Sequence, residues 1–173
     1  MTEGTLLVTG GAGFIGSNFV RHAIALDRSV ITLDALTYAG NRANLAPVID
    51  DARHTFVEGS IADQSTVTRI IAEHRPSAIV NFAAESHVDR SIDGPAEFIQ
   101  SNIVGVFVLL EAARDYLDTA QDSDRDAFRF LHVSTDEVYG SIENGAATEN
   151  SPYVPSSPYA ASKASADHLV RAW

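Results

Sequence analysis

The run Thr9-Gly10-Gly11-Ala12-Gly13-Phe14-Ile15-Gly16 narrows what this chain can fold into more than any other feature. Just before it, Thr5-Leu6-Leu7-Val8 is a short apolar run of the kind that forms a buried parallel strand. Just after it, Phe14, Ile15, Phe19, Val20, Ala23 and Ile24 recur at helical spacing. Three glycines between a strand and a helix suit a dinucleotide. Gly10 permits the tight turn, Gly13 lets backbone approach a pyrophosphate, and Gly16 lets the helix pack on the strand. The phosphates then meet unsatisfied N–H groups at the positive end of the helix. Glycines also mark plain turns, but a second strand, Val30-Ile31-Thr32-Leu33, ends at Asp34, 18 residues beyond Gly16. A carboxylate there accepts hydrogen bonds from ribose hydroxyls and repels a 2′-phosphate, which favours NAD over NADP.

The alternation continues along the chain. Thr55-Phe56-Val57 is strand-like, Ser65 to His74 reads as a helix closed by Pro76, and Ala78 to Phe82 is a fourth strand. A long helix, apolar on one face, is expected from about Ala96 to Tyr116, a fifth strand over Phe130 to Ser134, and a last helix from near Pro158. Strand and helix alternate without an internal repeat, the pattern of an α/β fold with a doubly wound, Rossmann-like parallel sheet, here one domain over 1–173. Asp118 to Asp126 holds four aspartates and one arginine and reads as a solvated loop. The last helix is still running at Trp173, so we expect a longer polypeptide whose C-terminal substrate domain is missing from this chain.

Charge removes other classes. Twelve basic residues against 23 acidic ones give a net charge of −11, which repels nucleic acid and anionic membrane surfaces. An anionic ligand would then have to be held by local N–H groups and a few cations. There is no cysteine, hence neither a disulfide framework nor a thiolate metal site. Met1-Thr2-Glu3-Gly4 runs into the first strand without the pattern of a signal peptide, and no stretch is expected to reach transmembrane length. The expected location is the cytoplasm.

Tyr159 and Lys163 are four residues apart, on one face of the last helix. A free tyrosine has a pKa of about 10 and is a poor base at neutral pH. A lysine ammonium and a positive nicotinamide ring favour the phenolate, so the pair can take a proton from an alcohol while hydride leaves the same carbon. Ser134-Thr135-Asp136-Glu137-Val138-Tyr139-Gly140 follows the fifth strand, at the end where open α/β sheets place ligands. Thr135 can hydrogen-bond the reacting hydroxyl. Asp136 and Glu137 are adjacent acids whose pKa values can be pushed apart, so that one donates a proton and the other accepts one. Oxidation alone needs neither, whereas elimination of water needs both.

Taken together, the glycine loop, Leu33 to Asn41, Ala83-Ala84-Glu85-Ser86-His87-Val88-Asp89-Arg90-Ser91, Ser134 to Gly140 and Tyr159 to Lys163 resemble the dTDP-glucose 4,6-dehydratases. These belong to the extended short-chain dehydrogenase/reductase family, and the resemblance spans essentially all 173 residues. It implies a lyase that oxidises the C4 hydroxyl of a nucleotide-linked glucose, eliminates water across C5 and C6, and returns the hydride to C6. By that resemblance Tyr159 is the base at C4 with Lys163 assisting, Thr135 orients the hydroxyl, Asp136 protonates the departing C6 hydroxyl, and Glu137 removes the C5 proton. It also places Phe14 and Ile15 at the pyrophosphate, Ala35, Leu36 and Thr37 around the adenosine, and Phe82, Ala83 and Ala84 along the cofactor. Ser86 would touch the substrate. Ser101 stands where relatives commonly have threonine, and Ser60, before Ile61, where they typically have the aspartate that contacts the adenine amino group. His87 has no partner histidine at ligand spacing and reads as a wall residue, with no metal expected. The resemblance further implies a homodimer, with the helix from Ala96 as its interface.

Other readings use the same scaffold. A nucleotide-sugar 4-epimerase shares the tyrosine, lysine and glycine loop but needs no acid–base pair after Thr135. A nucleotide-sugar decarboxylase keeps the glutamate but has serine at the position of Asp136. A non-catalytic NAD-binding module would be expected to lose Tyr159 and Lys163. If the polypeptide ends at Trp173, NAD binding without turnover is expected.

Overall fold

The computed structural model describes residues 4–173. Met1 to Glu3, part of the stretch read above as lacking a signal-peptide pattern, lie outside the described residues.

Five parallel strands, β1 (Leu6–Thr9), β2 (Val30–Asp34), β3 (His54–Glu58), β4 (Ala78–Asn81) and β5 (Arg129–His132), form one sheet in the order β3-β2-β1-β4-β5. Every residue of β1 and β2 is buried, as expected of strands covered on both faces, whereas the edge strand β5 is partly exposed. Alternation along β1 divides the core in two. Leu7 points to the layer of α2 (Gln64–His74) and α5 (Gly105–Asp118), with Ile70, Ile71, Ile79 and Leu109. Leu6 and Val8 point to the layer of α1 (Phe14–Ala25), with Val20, Ile24 and Leu45. The sheet is therefore doubly wound, as the alternating pattern predicts. The chain moves outward from β1 through β2 to β3, then returns to place β4 on the other side of β1. The crevice for a ligand opens at that reversal, beyond the carboxyl ends of β1 and β4.

Two elements differ from the sequence reading. The long helix runs from Pro95 to Asp118, but only its ends, α4 (Pro95–Phe98) and α5, are α-helical; Ile99–Val104 between them is π-helical. At 24 residues and mean hydropathy 1.4 it is long and apolar enough to cross a membrane, against the expectation that no stretch would be. Half of its apolar window is buried inside the fold, because it lies along the sheet and packs against α2 and α7 (Pro158–Ala172). The acidic segment expected to be a loop contains α6 (Asp122–Ala127). Its Asp122 and Asp124 sit in the first turn, where negative charge complements the helix dipole. A short helix, α3 (Val88–Asp93), and 3-10 turns at Arg42–Leu45 and Asp136–Tyr139 complete the chain.

Candidate active site

At the carboxyl ends of β1 and β4 lies a cleft of about 350 Å³. The glycine loop forms its floor, and the loop is held by backbone geometry. Gly10 adopts φ 67°, and a Cβ added there would lie 2.5 Å from Ala83 N at the end of β4. A Cβ on Gly16 would lie 2.2 Å from Gly10 O, so only glycine allows α1 to start this close to β1. Gly13 is the N-cap of α1 and offers no side-chain cap, which leaves first-turn N–H groups open toward the cleft. Phe14 and Ile15 line it although their side chains are 84% and 61% exposed, so what they offer a ligand is backbone.

Asp34 closes β2 with its carboxylate already engaged. Oδ2 accepts from Ala12 N at 2.8 Å and Oδ1 from Leu36 N at 2.9 Å. The residue expected to hold a ribose therefore also ties the glycine loop to the end of β2. Each carboxylate oxygen retains a second acceptor position. Ala35, Thr37, Ser60, Ile61, Phe82, Ala83, Ala84, Ser86 and Ser101 line the cleft as well. Leu36 does not; with φ 49° it turns back against the core on the α1 side. The Ser60 hydroxyl accepts from Ala62 N at 3.1 Å, which leaves its own hydrogen free to donate.

The opposite wall carries the pair on α7. Ser157 caps that helix by accepting from Ala160 N at 3.0 Å, and Pro158 begins it. Tyr159 and Lys163 both line the cleft and are 9% and 3% exposed. Lys163 Nζ donates to Val133 O at 2.7 Å and stands 3.3 Å from His132 Nε2. Burial, against the pull of Asp167, lowers the lysine to about 8. The expected lowering of the tyrosine includes a bound nicotinamide; in the protein alone it is raised. Burial raises its pKa, and Glu137 and Asp136 add to the rise, while the Thr135 hydroxyl facing the phenol opposes it. The Lys163 ammonium is directed to Val133 O and makes no hydrogen bond to the phenol.

Thr135, Asp136 and Glu137 sit beside the cleft, outside its lining, on the 3-10 turn after β5. Thr135 caps the turn by accepting from Glu137 N at 3.2 Å. Both carboxylates are exposed, and the closest polar contact of either is Thr135 Oγ1, 3.5 Å from Asp136 Oδ1. His87 is exposed at the start of α3, and no three His, Asp or Glu side chains converge on a metal site among the described residues.

Sequence reasoning passed over Asn102. Buried within the π-helical segment, it accepts from Glu85 N at 2.8 Å, donates to Glu85 O at 2.9 Å and donates to Ser162 Oγ at 2.8 Å. It thus joins the long helix, the end of β4 and α7. An amide on the apolar face of a helix was the available signal. Glu85, which lines the cleft, is raised by burial and then by Glu97.

The family described as GDP-mannose 4,6 dehydratase matches residues 7–173. The chain belongs to this family. Among its relatives, a dTDP-glucose 4,6-dehydratase of Xanthomonas campestris is 62% identical over 170 residues, covering 98% of this chain and 48% of the relative. A dTDP-glucose 4,6-dehydratase from Streptomyces venezuelae, solved with NAD bound, superposes with a TM-score of 0.86 at 53% identity, over 97% of this chain and 51% of that one. A UDP-glucose 4-epimerase of Thermus thermophilus, also solved with NAD, gives 0.84 at 34% identity, over 97% and 50%. The chain spans about half the length of the curated relatives it matches.

Proposed function

We propose that this chain is the NAD-binding and catalytic part of a nucleotide-sugar 4,6-dehydratase that converts dTDP-glucose to the 4-keto-6-deoxy sugar. One juxtaposition carries the reading: a tyrosine–lysine pair shares a cleft with a dinucleotide loop, and two free carboxylates act on that tyrosine from the cleft's edge. The cleft fits the cofactor. A Cβ at Gly13 would meet Gly10 O at 3.3 Å and Ala39 O at 3.9 Å, so beyond that one tight backbone contact the space beside it is left for a ligand. First-turn N–H groups of α1 would hold the pyrophosphate, Asp34 the adenosine ribose, Ser60 and Ile61 the adenine, and Lys163 the nicotinamide ribose. The similar dehydratase from Streptomyces venezuelae binds NAD, which supports this assignment.

Bound NAD supplies a reversible hydride acceptor, so that the hydride taken from C4 returns at C6 and no net redox change results. Tyr159 takes the C4 hydroxyl proton, and Thr135 orients that hydroxyl. Burial and two carboxylates keep the phenol protonated in the protein alone, so its proton is released only when positive charge enters the cleft. Glu137 removes the C5 proton made acidic by the new ketone and returns a proton to C5 when hydride reaches C6, and Asp136 gives a proton to the departing C6 hydroxyl, which leaves as water. Their exposure keeps both side chains free to turn toward a sugar.

A polypeptide of the relatives' full length, given dTDP-glucose, is expected to release the 4-keto-6-deoxy product. A C4-inverted sugar would favour the epimerase reading, and loss of a carboxylate from a uronic acid substrate the decarboxylase. The 173-residue chain is expected to bind NAD without turnover. Ser60→Asp tests the adenine contact: tighter NAD binding supports it, and unchanged affinity removes it. We further place the protein in the cytoplasm as a homodimer. Phe107 and Trp173, packed edge to face at 5.8 Å and both exposed, support the long helix and α7 as the shared surface, and light scattering would test it.

A further inference from the structure

Lys163 is the only lysine in the chain, and a set of buried polar side chains stands behind it. The Thr9 hydroxyl donates to Asn81 Oδ1, so the amide that Asn81 turns toward His132 is its Nδ2 donor, 2.9 Å from His132 Nδ1. A donor at Nδ1 requires a lone pair there, which puts the imidazole hydrogen on Nε2. Nε2 lies 3.3 Å from Lys163 Nζ and 3.7 Å from Asp167 Oδ1. Donor therefore faces donor, and the ammonium keeps only Val133 O as an acceptor. Asp167, one turn beyond Lys163 on α7, also accepts from Ser134 Oγ at 2.6 Å and Tyr153 OH at 3.0 Å. One carboxylate thus ties the start of the Thr135–Glu137 turn to the helix that carries Tyr159.

We propose that His132 and Asp167 are positioning residues that together set the charge of Lys163: His132, its hydrogen held on Nε2 by Asn81, opposes the ammonium, and Asp167 supports it.

The surroundings agree. Other charged groups on elements packed against α7, namely Asp89, Arg90 and Asp93 of α3, Glu97 of α4, and Asp136 and Glu137 of the turn, make no hydrogen bond or ion pair with Lys163 among the described residues. Glu111 of α5 is taken by Arg114 and Trp173. Asp167 raises the lysine's pKa against the effect of burial. Burial, then Lys163, brings His132 down to about 4, so the imidazole is neutral wherever the lysine titrates near 8. Lys163 is charged at neutral pH but near its limit. The inference takes from the proposed function only that the charged lysine is the working form.

Labelling the chain with [13Cε]lysine gives a single side-chain signal to titrate. The expected midpoint is near 8. Asp167→Asn, which can still accept from Ser134 and Tyr153, should weaken proton binding about tenfold or more, and Asp167→Glu should restore it. The 15N signals of His132, assigned by their loss in His132→Gln, should be pyridine-type at Nδ1 and pyrrole-type at Nε2. A wild-type midpoint at the free-lysine value, an Asp167→Asn midpoint that does not move, or a pyrrole-type Nδ1 would each overturn the proposal. If Asp167→Asn does not fold, the wild-type midpoint and the tautomer decide. None of these readouts needs turnover, so their failure leaves the proposed reaction standing, and a failed dehydration assay leaves them intact.

Discussion

The two ends of the cleft are built from different materials. The nucleotide end is backbone: glycines at van der Waals limits, helix N–H groups, and Asp34 holding the amides of Ala12 and Leu36. The carboxylate end is side chain: Asp136 and Glu137 stand exposed on a short turn, with no ion pair among the described residues. Backbone sites are rigid because moving one moves the fold. The exposed carboxylates can change protonation and orientation without cost to the core. A change at the first end should therefore register in stability and binding together, and at the second in turnover alone.

The strongest test of this division is Glu137→Gln in the full-length polypeptide. Turnover should fall by about 10²- to 10⁴-fold, while the thermal midpoint stays where it was, since an exposed side chain without partners contributes within about 0.5 kcal/mol. A drop in stability of several kcal/mol would break the comparison. Acid titration asks whether the buried set behind Lys163 sides with the backbone end. His132 is lowered from 6.5 to about 4, so the unfolded chain takes up a proton between those values and the folded chain does not. Stability should fall as pH drops through that window, by on the order of 3 kcal/mol, and His132→Gln should flatten the slope measured by denaturant unfolding. Gly16→Ala should cost about 1–3 kcal/mol from overpacking and weaken NAD binding in the same variant. Gly13→Ala sharpens the contrast within the loop itself. Its added methyl would crowd only the carbonyl oxygen of Gly10, at 3.3 Å, so it should cost less stability than Gly16→Ala, while calorimetry records weaker NAD binding.

Legibility in the sequence followed the same division. The glycine loop, Asp34 and the buried strands could be read because strand, turn and helix are consecutive there, and periodicity is local. Tyr159, Lys163 and the Thr135–Glu137 turn were readable as short patterns. What those patterns touch was not. Asn81, His132 and Asp167 meet from three separate elements, and Asn102 reaches Glu85, 17 residues before it, and Ser162, 60 residues after it. Spacing along a helix likewise brings Lys163 near Tyr159 but does not show that Val133 O takes its ammonium, nor that burial raises the phenol. Composition misled at α6, where aspartates that suggest a solvated loop also suit a helix's first turn.

The solitary lysine has one more consequence. A protease that cuts only after lysine has a single target in this sequence, at the residue that faces the cofactor cleft. With the side chain 3% exposed in the middle of α7, that bond is cut only while the helix is open. The rate at which a fragment of residues 1–163 accumulates thus measures how often α7 comes apart, and a ligand that grips the helix should slow it.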